Sequence, residues 1–167
     1  MPRHLDASTN RTAIQDSTAK TYSIPRYTVS LVRDSRVATP TQHIRSSRDA
    51  RDVLAAYLAG ADREHFVVLL LDTKKHIIGI HTVSTGSLAA SIVHPREVLK
   101  ACILSNADAY IAGHNHPSGE CTPSQEDRAI TARLKEASAL MGIALLDHII
   151  LGDGTETYYS FADHGDL

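Results

Sequence analysis

A chain of 167 residues that is 43% hydrophobic carries enough apolar side chains for one compact domain with a full core. Its formal charge of −2 at pH 7 supplies no cationic patch, which argues against duplex DNA or an anionic membrane as the default partner. The longest apolar run, FVVLLL at 66–71, is far too short to span a bilayer, and the N-terminus lacks the apolar core of a signal peptide. Cys102 and Cys121 are too few for a disulfide framework and form no C-x-x-C pair, so the expected location is a reducing cytoplasm.

Residues 1–25 are polar and without apolar period, and are expected to form a disordered tail ahead of one domain over 26–167. YTVSLVRD (27–34) alternates apolar and polar residues, which predicts an edge strand, open to pairing with a second copy; oligomeric state is otherwise undetermined. SSRDARDVLAAYLAG (46–60) predicts a helix with a serine cap, apolar Val53, Leu54, Tyr57 and Leu58 on one stripe, and Gly60 as the stop. HFVVLLLD reads as a continuous buried strand, and HIIGIHTVS (76–84) as its antiparallel partner across a TKK turn. GSLAASIVH reads as a loop, and Pro95 opens the helix PREVLKACILSN. AYIAGHN (109–115) is a short buried strand running into the loop HNHPSGECTPSQED. Thr122 is the expected cap of the next helix, with Pro123 at its first position and Gln125 at its third, and Gly142 ends it. IALLDHIIL (143–151) and TYYSFAD (157–163) complete the sheet. The predicted architecture is α/β, a mixed sheet sandwiched by helices.

The chemistry concentrates at residues 114–127. His114 and His116 are two apart at a strand end, so both imidazoles project from one face. Asp127 shares a helix face with Ile130 and Leu134, which should face the core, so the carboxylate should turn inward as well. Two imidazoles and one carboxylate make the three-ligand set of a catalytic zinc with a fourth position for water. The bland alternative is a polar loop whose histidines hydrogen-bond locally.

H-N-H, seven residues, Ser124, two residues and Asp127 together are similar to the H-x-H-x7-S-x2-D signature of the JAMM (MPN-plus) metalloproteases. The longer HNHPSGECTPSQED, with TGSLAASIVHPREVLKACILSNADAYI before it and LLDHIILGD after it, resembles the RadC branch of that superfamily over about residues 27–165. Full-length RadC proteins usually add an N-terminal helix-hairpin-helix region, so this chain resembles the isolated catalytic-domain form. The resemblance implies a JAB/MPN, cytidine-deaminase-like fold, with Zn2+ held by His114, His116 and Asp127. It implies Ser124 as the hydroxyl supporting an oxyanion and Glu64 as the general base. Glu126 precedes Asp127 on the helix and points about 100° away from it, and Glu120 lies in a loop, so neither competes well with Glu64. The implied activity is hydrolysis of a peptide or isopeptide bond in a protein or peptide substrate. Two alternatives stand beside it: a DNA-repair-associated accessory protein, and a metal-free MPN interaction module. A zinc deaminase is excluded, because the H-x-E and P-C-x-x-C pattern it needs is missing.

Other residues keep open readings. Ser118 either closes a turn or supports the site. Asp147-His148, polar within an apolar strand, either supplies a partner orienting a metal histidine or caps the strand at the surface. Asn115 should be a loop hydrogen-bonder pointing away from the ligands. His81, His94, Arg96 and Lys100 read as ordinary surface groups. Cys121, as a fourth ligand, would close the open position, so it is left out of the site.

Overall fold

In the computed structural model, residues 22–86 and 93–167 are described. Residues 1–21 of the expected tail, and 87–92 of the loop before Pro95, lie outside them. The elements run α1 (Ser47–Leu58), β1 (His65–Leu71), β2 (Ile77–Thr85), α2 (Pro95–Ser105), β3 (Ala109–His116), α3 (Gln125–Met141), β4 (Ala144–Gly152) and β5 (Tyr158–Ser160). The strands form one mixed sheet in the order β2-β1-β3-β4-β5. β1 pairs antiparallel with β2 and β3, β3 pairs parallel with β4 through the α3 crossover, and β5 lies antiparallel on β4. The expected α/β architecture is the observed one.

Each face of the sheet is covered because strand alternation splits the apolar residues into two sets. Phe66, Val68, Leu70, Tyr110 and Ala112 pack with Val98, Leu99 and Cys102 of α2 and Ile130 and Leu134 of α3. Val67, Leu69, Leu71, Ala109, Ile111 and Ile149 pack on the opposite side with Ala50, Val53, Leu54 and Leu58 of α1. β1, buried on both faces from Phe66 to Leu71, therefore needs the unbroken apolar run that marked it in the sequence. At the end of α1, Gly60 takes φ +77°, and Ser46 caps its start in a reciprocal pair with Asp49.

Three expectations require correction. Residues 27–34 form no strand: Tyr27 is 81% exposed, Val29 71% and Val32 87%. Alternation marks a strand only where a neighbouring strand supplies rungs, and the chain first meets the sheet at the isolated bridge between His43 and His76. The cap of α3 is Ser124, not Thr122. Ser124 has Asp127 three residues on to return the bond, whereas the Thr122 hydroxyl donates to Glu120 Oε1. The last strand covers only 158–160, because the Asp147 carboxylate accepts from the Ser160 hydroxyl and the Ala162 N–H and turns the chain out of the ladder.

At the end of β4, Gly152 lies against the loop that follows β3. A Cβ there would sit 2.2 Å from the Gly119 carbonyl oxygen and 2.8 Å from Thr155 Oγ1. The backbone at Gly119 is thus seated directly on the strand end. Gly152→Ala should cost about 1–3 kcal/mol by overpacking, measured as a lower midpoint of thermal unfolding, and should displace this loop in a crystal structure of the variant.

Candidate metal centre

His114 and His116 occupy the last positions of β3, on the face covered by α3, and Asp127 is the third residue of α3. A parallel strand leading into a crossover helix brings strand C-terminus and helix N-terminus together, where ligands of α/β sheets characteristically bind. His114 and Asp127 are fully buried, while the His116 side chain is 18% exposed. His114 Nε2 lies 3.0 Å from His116 Nε2 and 3.1 Å from Asp127 Oδ1, and His116 Nε2 lies 3.5 Å from Asp127 Oδ2. Glu64, half-buried just before β1, brings a carboxylate oxygen to the same point: with the two imidazoles it offers three ligand atoms within 4.8 Å of one another.

The proton on each imidazole follows from its partners. Thr131 Oγ1 donates to the Asp127 carbonyl (2.6 Å), so toward His148 Nδ1, also at 2.6 Å, the hydroxyl can only accept. Burial holds the His148 pKa well below the usual histidine value, so the ring is neutral. With its proton on Nδ1, its Nε2 is bare and accepts from His114 Nδ1–H at 2.9 Å. His114 Nε2 is thereby left as a lone pair aimed at the site. His116 reaches the same state through one bond, Nδ1–H to the Glu120 carbonyl at 2.7 Å. Phe66 stacks on His114 and Phe161 on His148, with centroids 5.9 and 5.0 Å apart, keeping this chain of bonds dry.

Two imidazole lone pairs and two carboxylates therefore face one point. Asp127 Oδ1 is buried and makes no hydrogen bond despite its closeness to His114. Such a set is repulsive in a low-dielectric interior unless a cation lies among its members. Burial alone would raise the Asp127 pKa. Where no cation lies among these groups, protons on the His114 and His116 rings, with the Ser124 hydroxyl, outweigh burial and keep the carboxyl ionised. A proton and a metal ion would thus compete for the same point. The Asp127 carboxylate in turn raises the His116 pKa. The donor set, two neutral nitrogens and carboxylate oxygens, fits a borderline divalent ion.

The structure brings together all five residues singled out from the sequence. Ser124, however, engages Asp127: its Oγ donates to Asp127 Oδ2 at 2.7 Å and accepts from the Asp127 N–H at 3.1 Å. Glu120 contributes its carbonyl to His116 while its carboxylate turns to Thr122, and Glu126 is exposed. Ser118 accepts from the Glu120 N–H, closing a turn. His94 caps α2, and Lys100 pairs with Glu97 on an exposed helix face. Of the Asp147-His148 pair, His148 is the one that orients a site histidine. A bulge in the β3–β4 pairing, where Tyr110 faces Leu145 but Ile111 faces Asp147, sets His148 opposite Ala112 and so on the His114 face. Asn115 is no loop residue; it is the penultimate residue of β3 and hydrogen-bonds to both neighbours of Glu64. Sequence reasoning missed Thr131, although its place four residues after Asp127 on the inward stripe is a usable signal.

Comparison with known proteins identifies the family. The family model described as "RadC-like JAB domain" matches residues 44–166. Among curated proteins, a UPF0758 protein of Rubrobacter xylanophilus is 48% identical over 124 residues, 74% of this chain and 53% of that protein. A UPF0758 protein of Pelobacter propionicus is 54% identical over 122 residues, 73% of this chain and 52% of that protein. The chain thus spans about half the length of the curated relatives it matches. From its residues 44–166 and from these relatives, the chain belongs to the RadC-like JAB domain family.

Proposed function

We propose that the chain is a zinc-dependent hydrolase of the JAMM type that cleaves a peptide or isopeptide bond in a protein or peptide substrate, within a reducing cytoplasm. The observation that carries this reading is the convergence of His114 and His116, each with Nε2 bare, on the carboxylates of Asp127 and Glu64. His114, His116 and Asp127 would hold the zinc ion. When bound, zinc supplies Lewis acidity and makes water acidic enough to ionise near neutral pH.

The chain's own groups do the rest. Glu64 is the proton carrier: its carboxylate takes a proton from the attacking water and delivers it to the leaving nitrogen as the C–N bond breaks. Asp127 stays ionised throughout, held by Ser124. The Ser124 hydroxyl, the expected oxyanion donor, must turn from Asp127 Oδ2 to serve that role. Charge complementarity favours no nucleic acid, since the net charge is −2.

Purified protein should contain about one zinc per chain by elemental analysis, and chelation should abolish cleavage across a panel of peptide and isopeptide substrates until zinc is restored. At saturating zinc, Glu64→Gln should still fill with metal and lower turnover about 10²–10⁴-fold. Metal well below stoichiometry after reconstitution sinks the hydrolase in favour of a scaffold role, and unchanged turnover in the variant removes Glu64 from the mechanism.

A second expectation concerns the hydrogen bonds behind His114. Thr131→Val removes the acceptor for His148 Nδ1–H and frees His148 to move its proton to Nε2, which displaces the His114 proton onto its ligand nitrogen. Zinc affinity should fall about 10–100-fold, read by competition with a chromophoric chelator, and imidazole nitrogen chemical shifts should report the changed His114 tautomer.

A further inference from the structure

We propose that Asn115 is the positioning residue for Glu64. The regular β1–β3 ladder stops at the pair Phe66–His114. β3 continues beyond it on its other side, along β4 as far as His116 opposite Gly152. In the gap that opens toward residues 63–65, the Asn115 carboxamide takes the place of two peptide rungs. Its Oδ1 accepts from the His65 N–H at 2.9 Å, and its Nδ2 donates to the Arg63 carbonyl at 3.0 Å. Those two groups flank Glu64 on either side. The Glu64 carbonyl itself accepts from the Gly86 N–H at 2.8 Å.

The chemistry of the side chain suits the task. A carboxamide presents a donor and an acceptor at the spacing of a peptide group, and the backbone partners here dictate which end is which. Asn115 is only 4% exposed, so water does not substitute for it cheaply. Strand alternation completes the arrangement: His114 and His116 project toward α3, and the residue between them is free to reach across to the β1 side. Three consecutive residues thus supply two ring nitrogens to the site and hold the backbone of the carboxylate that works beside them. This inference rests on the reading of Glu64 as a group acting next to a bound metal.

The test uses Co2+ in the full chain after chelator treatment. Visible absorption and titrated Kd are compared for wild type, Asn115→Ala, Glu64→Gln and the double variant, with thermal unfolding alongside. Both single variants should shift the Co2+ absorption envelope in the same way and weaken binding about tenfold. The double variant should be no weaker than either single one, because Asn115 acts through Glu64. An Asn115→Ala envelope matching wild type, or losses that multiply to about a hundredfold in the double variant, overturns the proposal alone. A wild-type chain that takes up no Co2+ overturns the metal reading and this proposal with it. If Asn115→Ala does not fold, Asn115→Asp carries the same comparison: it keeps the acceptor opposite the His65 N–H and sets an acceptor against the Arg63 carbonyl.

Discussion

Asp127 Oδ2 accepts from both the backbone N–H and the hydroxyl of Ser124, while Oδ1 faces His114 Nε2 at 3.1 Å. One carboxylate thereby closes the first turn of α3 and forms a wall of the site. The two tasks constrain each other. The cap fixes where the helix begins, and with it which residue stands at the end of β3. The rest of α3 then follows from register: Ile130 and Leu134 enter the apolar layer, and Thr131 arrives where it can reach His148.

From that anchor runs a directed set of bonds: Thr131 to the Asp127 carbonyl, His148 to Thr131, His114 to His148. Each link accepts from the next and has one possible direction, set at the Thr131 end by a carbonyl that cannot donate. Asp147 stabilises the same strand from its other face. There it binds the His148 N–H, the Ser160 hydroxyl and the Ala162 N–H, and burial raises its pKa. Neither polar neighbour is redundant, because each satisfies groups the other cannot reach.

Much of this could be read from the chain of letters. The H-x-H spacing and the inward stripe of Asp127, Ile130 and Leu134 needed only helix and strand geometry, and β1 announced itself as an apolar run. The role of His148 could not be settled in the same way. Without the bulge after Tyr110, Asp147 would face α3 and His148 would face α1; a single inserted residue in the pairing exchanges them. Asn115 was opaque for a related reason, since its partners at 63 and 65 lie fifty positions away and become neighbours only through the β1–β3 pairing. YTVSLVRD misled in the opposite direction, carrying a strand pattern with no strand beside it.

The two apolar layers on either side of the sheet are built from Phe66, Leu134, Leu54, Leu69 and their neighbours, and they touch the site chiefly where Phe66 stacks on His114. In small zinc domains the ion is the core, and the polypeptide is unstructured until it is loaded. Here most of the apolar burial lies outside the ligand atoms. The two apolar layers frame the inward-facing bases without needing them for most of the burial. On the proposed reading, a divalent ion would then enter a cavity already framed by packed apolar layers, and that frame would set the selectivity among competing ions.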